Sequence, residues 1–402
     1  MGAFAARFVA LDATTVLSGG LIRWDARGRI VSLRRAPAGT RLADVCVLPA
    51  LVNAHAHLQL PALAATAPTR TFVAWIHSVL QARQATSAAA ERQLLRAAIA
   101  DQLHLGVNAV GDIDSTGTSA EELRHSPLRG RCYRELTGFH LDERAARALL
   151  QERDGERVRG RPLAMQGGWS PHAPYSVSAA LFRAAAARGR HLAIHCAEVP
   201  EEQQLLHSGR GAFADLLREL GRLPADHRAP NLGAVRWLEH LGVLSARTSL
   251  IHCQELERGD SARIAASGAS IVVCPGTIEY FGRAAPPVPA WLAQGIPVAL
   301  GTDSRASNTT LSMPAELARA SRLWPGLAPE TLFAMATRHG ARAVGCRGLG
   351  QLRIGGRADF CTVPAAATFR EALAAWVAGA TAVAAVHVAG RRLPTVKAGS
   401  RR

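Results

Sequence analysis

Eight short apolar runs, each closing in polar residues, constrain the fold of this chain more than any other feature. In order they are CVLPALVNAHAH, GVNAVGDID, RCYRELTGFH, PLAMQGGWSPH, RHLAIHCAE, RTSLIHCQE, GASIVVCPG and IPVALGTDS, and helical stretches rich in Ala, Leu and Arg separate them. Strands buried on both faces read as near-continuous apolar runs, and eight of them alternating with helices build a closed parallel barrel. A doubly wound open sheet normally uses fewer strands. The glycines that would serve one, Gly348, Gly350, Gly355 and Gly356, have the wrong spacing and come late in the chain. The expected fold is therefore α/β, a (β/α)8 TIM-type barrel.

The two ends of the chain follow another rhythm. FVALDATTVL, LIRWD and RIVSLRR are short and broken by Gly19, Gly20 and Gly28, which suits hairpins. ADFCTV and TAVAAVHVAG near the C-terminus look similar, with a helical stretch, ATFREALAAWVAG, between them. We expect residues 1–48 and 349–402 to assemble one small composite β-rich domain around a barrel of residues 49–348. With 402 residues and 48% hydrophobic content, the chain can bury both cores.

The formal charge of +16 raises the question of a nucleic-acid or membrane partner. The arginines are scattered or paired, as in Arg34-Arg35 and Arg391-Arg392, and clusters such as residues 157–161 lack interleaved aromatics. A binding footprint would concentrate charge on one face, so a solvated surface is the expected reading. Arg7 and Asp12 interrupt the first apolar stretch, and no run reaches the ~18 uncharged residues of a spanning helix. The seven cysteines include no C-x-x-C pair, which points to free thiols in a reduced, cytoplasmic compartment. Lys397 is the sole lysine, so phosphate-loop, Schiff-base and carbamylated-lysine chemistries lack their central residue.

What remains is a pattern of His, Asp and Glu at the ends of the runs. Side chains alternate along a strand, so His55 and His57 face the same way, at the spacing two metal ligands need. His195 closes LAIH, His252 closes SLIH and Asp303 closes ALGTD, and carboxyl ends of strands are where barrels build their sites. Each has a bland alternative: a core histidine, or for Asp303 a helix cap. Delivered together to one edge they would be costly to bury without a cation. Glu198, three residues after His195, begins the next loop and suits acid/base work, its alternative being a first-turn helix glutamate beside Glu201 and Glu202. His172, between Pro171 and Pro174, is a candidate substrate contact, and His140 a weaker pocket candidate. His77, His104, His125, His207, His227, His240 and His339 read as surface, and His191 and His387 as structural.

LVNAHAHLQL, HCAE, LIHC and LGTDSRASN resemble, in order, the four metal-centre signatures of the amidohydrolase superfamily. With SPHAPYSVS, FVAWIHSVLQAR and GLGQLRIGGRADF, the chain is similar to the aminofutalosine deaminase and methylthioadenosine/S-adenosylhomocysteine deaminase group. The resemblance implies His55, His57, His195 and Asp303 as ligands of one divalent metal ion, Glu198 as proton shuttle, and His252 as the residue holding the attacking water or a substrate atom. Catalysis would then rest on Glu198, His252 and Asp303, with His172, Gln59 and Glu198 against substrate. Zinc is the first choice of metal, with iron and manganese as alternatives.

That resemblance implies hydrolytic deamination of an aminated heterocycle. Amide, lactam or carbon–halogen hydrolysis is the alternative at the same centre, and a non-catalytic binding or assembly barrel the alternative of another class. The expected partner is a small-molecule substrate, not nucleic acid or membrane, and a homo-oligomer is compatible with the sequence. Three departures bear on specificity: Gln59 stands where relatives often carry Glu, and Gly276 and Ile278 where they often carry His and a basic residue. On that basis methylthioadenosine, S-adenosylhomocysteine and aminodeoxyfutalosine are expected to be poor substrates.

Overall fold

The computed structural model describes residues 1–63, 71–155 and 165–394; the arginine-rich segment 157–161 and Lys397 fall outside them. The N-terminal segment folds as an antiparallel meander, β1 (Gly2–Ala10), β2 (Val16–Trp24) and β3 (Ile30–Arg35). β4 (Ala43–Pro49) then lies parallel to β1.

After Ala50 the chain enters the barrel: β5 (Leu51–Ala56), β6 (Val107–Asp114), β7 (Arg129–Leu136), β8 (Met165–Pro171), β9 (Leu192–Cys196), β10 (Thr248–His252), β11 (Ser270–Val273) and β12 (Val298–Leu300). These strands pair in chain order, all parallel. The eight apolar runs are thus the eight barrel strands. The first run divides, its CVLP half belonging to β4 and its LVNAHA half to β5.

β13 (Phe360–Pro364), β14 (Ala385–Val388) and β15 (Arg391–Arg392) complete the other sheet, in the order β15-β14-β13-β4-β1-β2-β3. Both termini therefore build one sheet. Between β13 and β14 the chain leaves it: helix Phe369–Val377 starts in a capping box of Thr368 and Glu371 and lays Trp376 edge-on to Phe333, 5.7 Å away, on helix Pro329–Met335 of the barrel layer.

Two features bind the barrel to its site. β12 closes on β5 where Thr302 and Asp303 donate their backbone N–H groups to the His55 carbonyl at 3.0 and 3.1 Å. A Cβ on Gly301 would stand 2.8 Å from that carbonyl oxygen, so only glycine lets the strands meet there. At the opposite, amino-terminal end, the segment after helix Arg338–Ala343 plugs the barrel. Val344 and Ala343 carbonyls accept from Arg131 and Ser249, over a cluster of small side chains including Val52, Ala109, Val272 and Ala299.

All seven cysteines are buried and unpaired by disulfides. Among the described residues no helix is long and apolar enough to cross a membrane.

Candidate metal centre and active site

The carboxyl ends of β5, β9, β10 and β12 bring His55, His57, His195, His252 and Asp303 to one place. His55 and His57 share a face of β5, with Asp303 Oδ1 3.5 Å from His55 Nε2 and 3.6 Å from His57 Nε2. His57 Nε2 and His195 Nε2 are 3.3 Å apart. Donor atoms of His55, His57 and Asp303 fit within 4.8 Å of one another, and so do those of His55, His195 and His252. The second set places His252 near enough to serve as a further donor, besides standing 3.7 Å from Glu198.

Surrounding contacts aim these side chains. Thr277 and Ser307 donate hydroxyls to Asp303 Oδ2 at 3.1 and 2.6 Å, which leaves Oδ1 toward the histidines. His195 Nδ1 lies 3.0 Å from the His172 carbonyl, so it takes the proton and Nε2 keeps its lone pair for the centre. His252 and Asp303 hold left-handed backbone, φ +73° and +56°, a strain of about 1–3 kcal/mol each that the closed strand ends must sustain. Burial, reinforced by neighbouring histidines, takes His57 well below the ordinary imidazole range. The same causes, in the same order, bring His195 to about 3. Burial brings His252 to about 3, against the pull of Asp303. The three rings are therefore neutral, the state in which a histidine can offer a lone pair to a metal.

Glu198 is no helix-start residue. The helix begins at Pro200, and the Glu198 side chain, buried, reaches the same chamber. Burial raises its pKa, and Arg283, 3.2 Å away, opposes the rise. Arg283 is itself held over the Phe281 and Phe72 rings at 4.3 and 5.3 Å. Glu202, which reads in the sequence as a first-turn glutamate, is wholly buried and accepts the Glu198 backbone N–H at 2.9 Å.

Burial raises the Glu202 pKa to about 8. A carboxyl raised in the folded chain keeps a proton that the unfolded chain releases near the ordinary ~4.3. The folded state then binds more protons, and stability falls as pH rises from there to about 8, by at most ~1.4 kcal/mol per pH unit. Glu202→Gln keeps the acceptor and cannot ionise. Its melting temperature, followed by calorimetry, should gain on wild type as pH goes from 5 to 8. A constant difference would show that Glu202 does not carry this proton.

The chamber is a cavity of about 170 Å³. Its floor is His57, His195, His252, Asp303 and Glu198, and one wall is helix Phe72–Ala85, which turns Phe72, Trp75, Ile76, Val79, Leu80 and Arg83 toward it. These positions repeat at three and four residues, a helical stripe that would ordinarily face a core. Leu216 and Leu217 of helix Ala212–Glu219 supply another wall, and Glu135, Ser115 and Arg222 add polar groups.

Of the substrate candidates, His172 lines this cavity, its Nδ1 2.7 Å from Ser176 Oγ. Gln59 does not: its amide is engaged by Ser115 and Ser119, both at 2.7 Å, and it is Ser115 that meets the cavity. Gly276 and Ile278 are also turned away. A Cβ on Gly276 would fall 2.2 Å from Asn308 Nδ2, and Ile278 packs in the core; between them Thr277 alone points to the site. His140 is exposed and outside the cavity. His339, expected at the surface, instead sits partly buried with Nδ1 3.0 Å from the Val298 carbonyl.

The donor set fits a metal. His55 is fully buried with neither ring nitrogen hydrogen-bonded, an arrangement that is expensive unless an ion takes a lone pair. Two ligands ~2.0–2.1 Å from a tetrahedral ion stand roughly 3.3 Å apart, close to the 3.3, 3.5 and 3.6 Å separations found here. The amidohydrolase family model matches residues 46–393, which span this centre and both flanks of the barrel. The chain belongs to the amidohydrolase family.

Among relatives, it is 35% identical over 337 residues to an aminodeoxyfutalosine deaminase of Deinococcus radiodurans, covering 77% of this chain and 76% of that one. It is 28% identical to a 5-methylthioadenosine/S-adenosylhomocysteine deaminase of Teredinibacter turnerae, over 79% of this chain and 71% of the relative. The fold is similar to that of Helicobacter pylori aminofutalosine deaminase in complex with methylthio-coformycin, with TM-score 0.83, 22% identity and coverage of 98% and 100%. An adenosine deaminase of Xanthomonas campestris with bound zinc has TM-score 0.75 at 22% identity, covering 97% of this chain and 92% of that one.

Arg283, Thr277 and Ser307 of this amidohydrolase were not singled out from the sequence, and the Phe72–Arg83 stripe was quoted there only as part of the resemblance. Only the stripe left a signal there, as helical periodicity within FVAWIHSVLQAR.

Proposed function

We propose that the chain is a hydrolytic deaminase of an aminated heterocycle, an adenine-type base on a ribosyl compound, with one zinc ion per chain. The observation that carries this reading is a buried carboxylate, Glu198, beside a five-residue His/Asp cluster and below a wall bearing Phe72 and Trp75. The aromatic wall suits a flat ring. The cavity is smaller than the ~300 Å³ that begins to enclose a drug-sized ligand, so it takes the heterocycle and leaves the remainder of the substrate toward the mouth.

Zinc held by His55, His57, His195 and Asp303 would supply Lewis acidity, bringing the pKa of water toward ~7. Glu198 accepts the proton of the attacking water, its basicity raised by burial and its position held by Arg283 and by the Glu202 bond to its own N–H. His252 and Asp303 orient that water toward the amine-bearing carbon. Glu198 then delivers the proton to the ring nitrogen. Glu198 next passes the proton of the added hydroxyl to the amino group, the carbon–nitrogen bond breaks, ammonia leaves, and the carbon retains the water oxygen as a carbonyl.

Gly276 and Ile278 do not face the cavity and Gln59 is engaged elsewhere, so none of the three gives a physical ground for rejecting adenosine-like compounds. Zinc-loaded protein should release ammonia from at least one of methylthioadenosine, S-adenosylhomocysteine and aminodeoxyfutalosine with kcat/KM at or above ~10⁴ M⁻¹s⁻¹, within the ordinary enzyme range. Turnover confined to triazines or lactams in the same panel would overturn the substrate assignment and leave the hydrolytic centre standing.

A further inference from the structure

Six of the arginines that look scattered along the sequence gather in space at the end of the barrel opposite the candidate metal centre. A second cavity, of about 460 Å³, is lined by Arg27 and Arg29 from the β2–β3 turn, Arg129 at the start of β7, and Arg347, Arg353 and Arg357 from the segment before β13. Its position, between the composite sheet and the amino-terminal mouth of the barrel, takes side chains from segments more than 300 residues apart.

Among the described residues two carboxylates, Asp25 and Asp359, act on these six arginines. Arg357 pairs with Asp359, and Arg29 donates to the Gly355 carbonyl at 3.0 Å. Asp25 accepts the backbone N–H groups of Arg27 and Arg29. Among the described residues no carboxylate forms an ion pair with Arg27, Arg129, Arg347 or Arg353. Burial first, and then Arg357, pull the pKa of half-buried Arg129 downward, while Asp359 opposes them. Gly348 and Gly355 of the lining hold left-handed backbone, φ +100° and +77°.

Repelling groups converging on a concavity are stable when an anion joins them, and guanidinium forks match phosphate oxygens two at a time. The volume lies within the ~300–1,000 Å³ of small-ligand sites, whereas a nucleic-acid surface would continue as an open basic stripe. We propose that this arginine-lined cavity is a second ligand site, for a compact di- or triphosphate anion, separate from the catalytic chamber.

Isothermal titration of the full-length, zinc-loaded protein with sodium tripolyphosphate in 0.15 M NaCl tests it. Saturable one-to-one binding with Kd below ~100 μM is expected, well tighter than the millimolar range of unspecific ion pairing. Arg347 and Arg353 are exposed, so the R347Q/R353Q double variant should fold normally, keep its ammonia release and bind at least ~10-fold more weakly, since each lost charge-assisted pair removes affinity. Absence of saturable binding, or unchanged affinity in the double variant, would overturn the site. Citrate competing as well as tripolyphosphate would overturn the phosphate assignment. A single-stranded oligonucleotide binding more tightly than tripolyphosphate, with the same arginine dependence, would show a nucleic-acid surface instead.

Discussion

Glu198→Gln should lower kcat by about 100-fold or more while the metal content stays at the wild-type level. The amide keeps the size of the carboxylate and can still meet Arg283, 3.2 Å away, but it cannot take a proton from water or return one to a ring nitrogen. Two of the proposed ligands are oriented by groups other than Glu198. Asp303 is held by Thr277 and Ser307, and His195 by the His172 carbonyl. Metal content measured by elemental analysis, set beside steady-state ammonia release, separates the two functions. Near-wild-type turnover in this variant would remove Glu198 from the mechanism. Loss of metal together with activity would make it part of the binding set.

The largest effect on metal content should come from His55. It is fully buried, it belongs to both donor sets, and neither of its ring nitrogens is hydrogen-bonded. Wild type should carry about one tightly held ion per chain, as mononuclear sites of this kind do. His55→Ala should fall well below a tenth of that occupancy, with activity lost in proportion. Because an ion bound only by the folded state stabilises it by mass action, the variant should also lose the rise in melting temperature that zinc gives wild type. The two apo proteins should melt within a few degrees of each other, which distinguishes a lost ligand from a damaged fold. Two tightly bound ions per wild-type chain would overturn the mononuclear reading.

The sequence determined the barrel and its centre because both rest on short-range periodicities. Period-two alternation puts His55 and His57 on one side of β5, and apolar runs that end in His195, His252 and Asp303 mark the carboxyl ends of their strands. Once the eight strands close, no other information is needed to bring those ends together. Side-chain direction beyond the strand ends is a different matter, since it is set by whatever packs alongside. Gln59 turns to Ser115 and Ser119, Ile278 turns into the core, and Thr277 between two non-contacting neighbours reaches Asp303. Glu202 has the sequence position of an exposed first-turn acid, and tertiary packing buries it beneath Glu198. Arg283 becomes the partner of Glu198 across 85 residues, and Arg29 comes to face Gly355 across 326. The arginine cavity likewise exists only because a terminal sheet docks against the barrel mouth. Like charges from distant segments carry no mutual periodicity, so their convergence is decided by the tertiary structure alone.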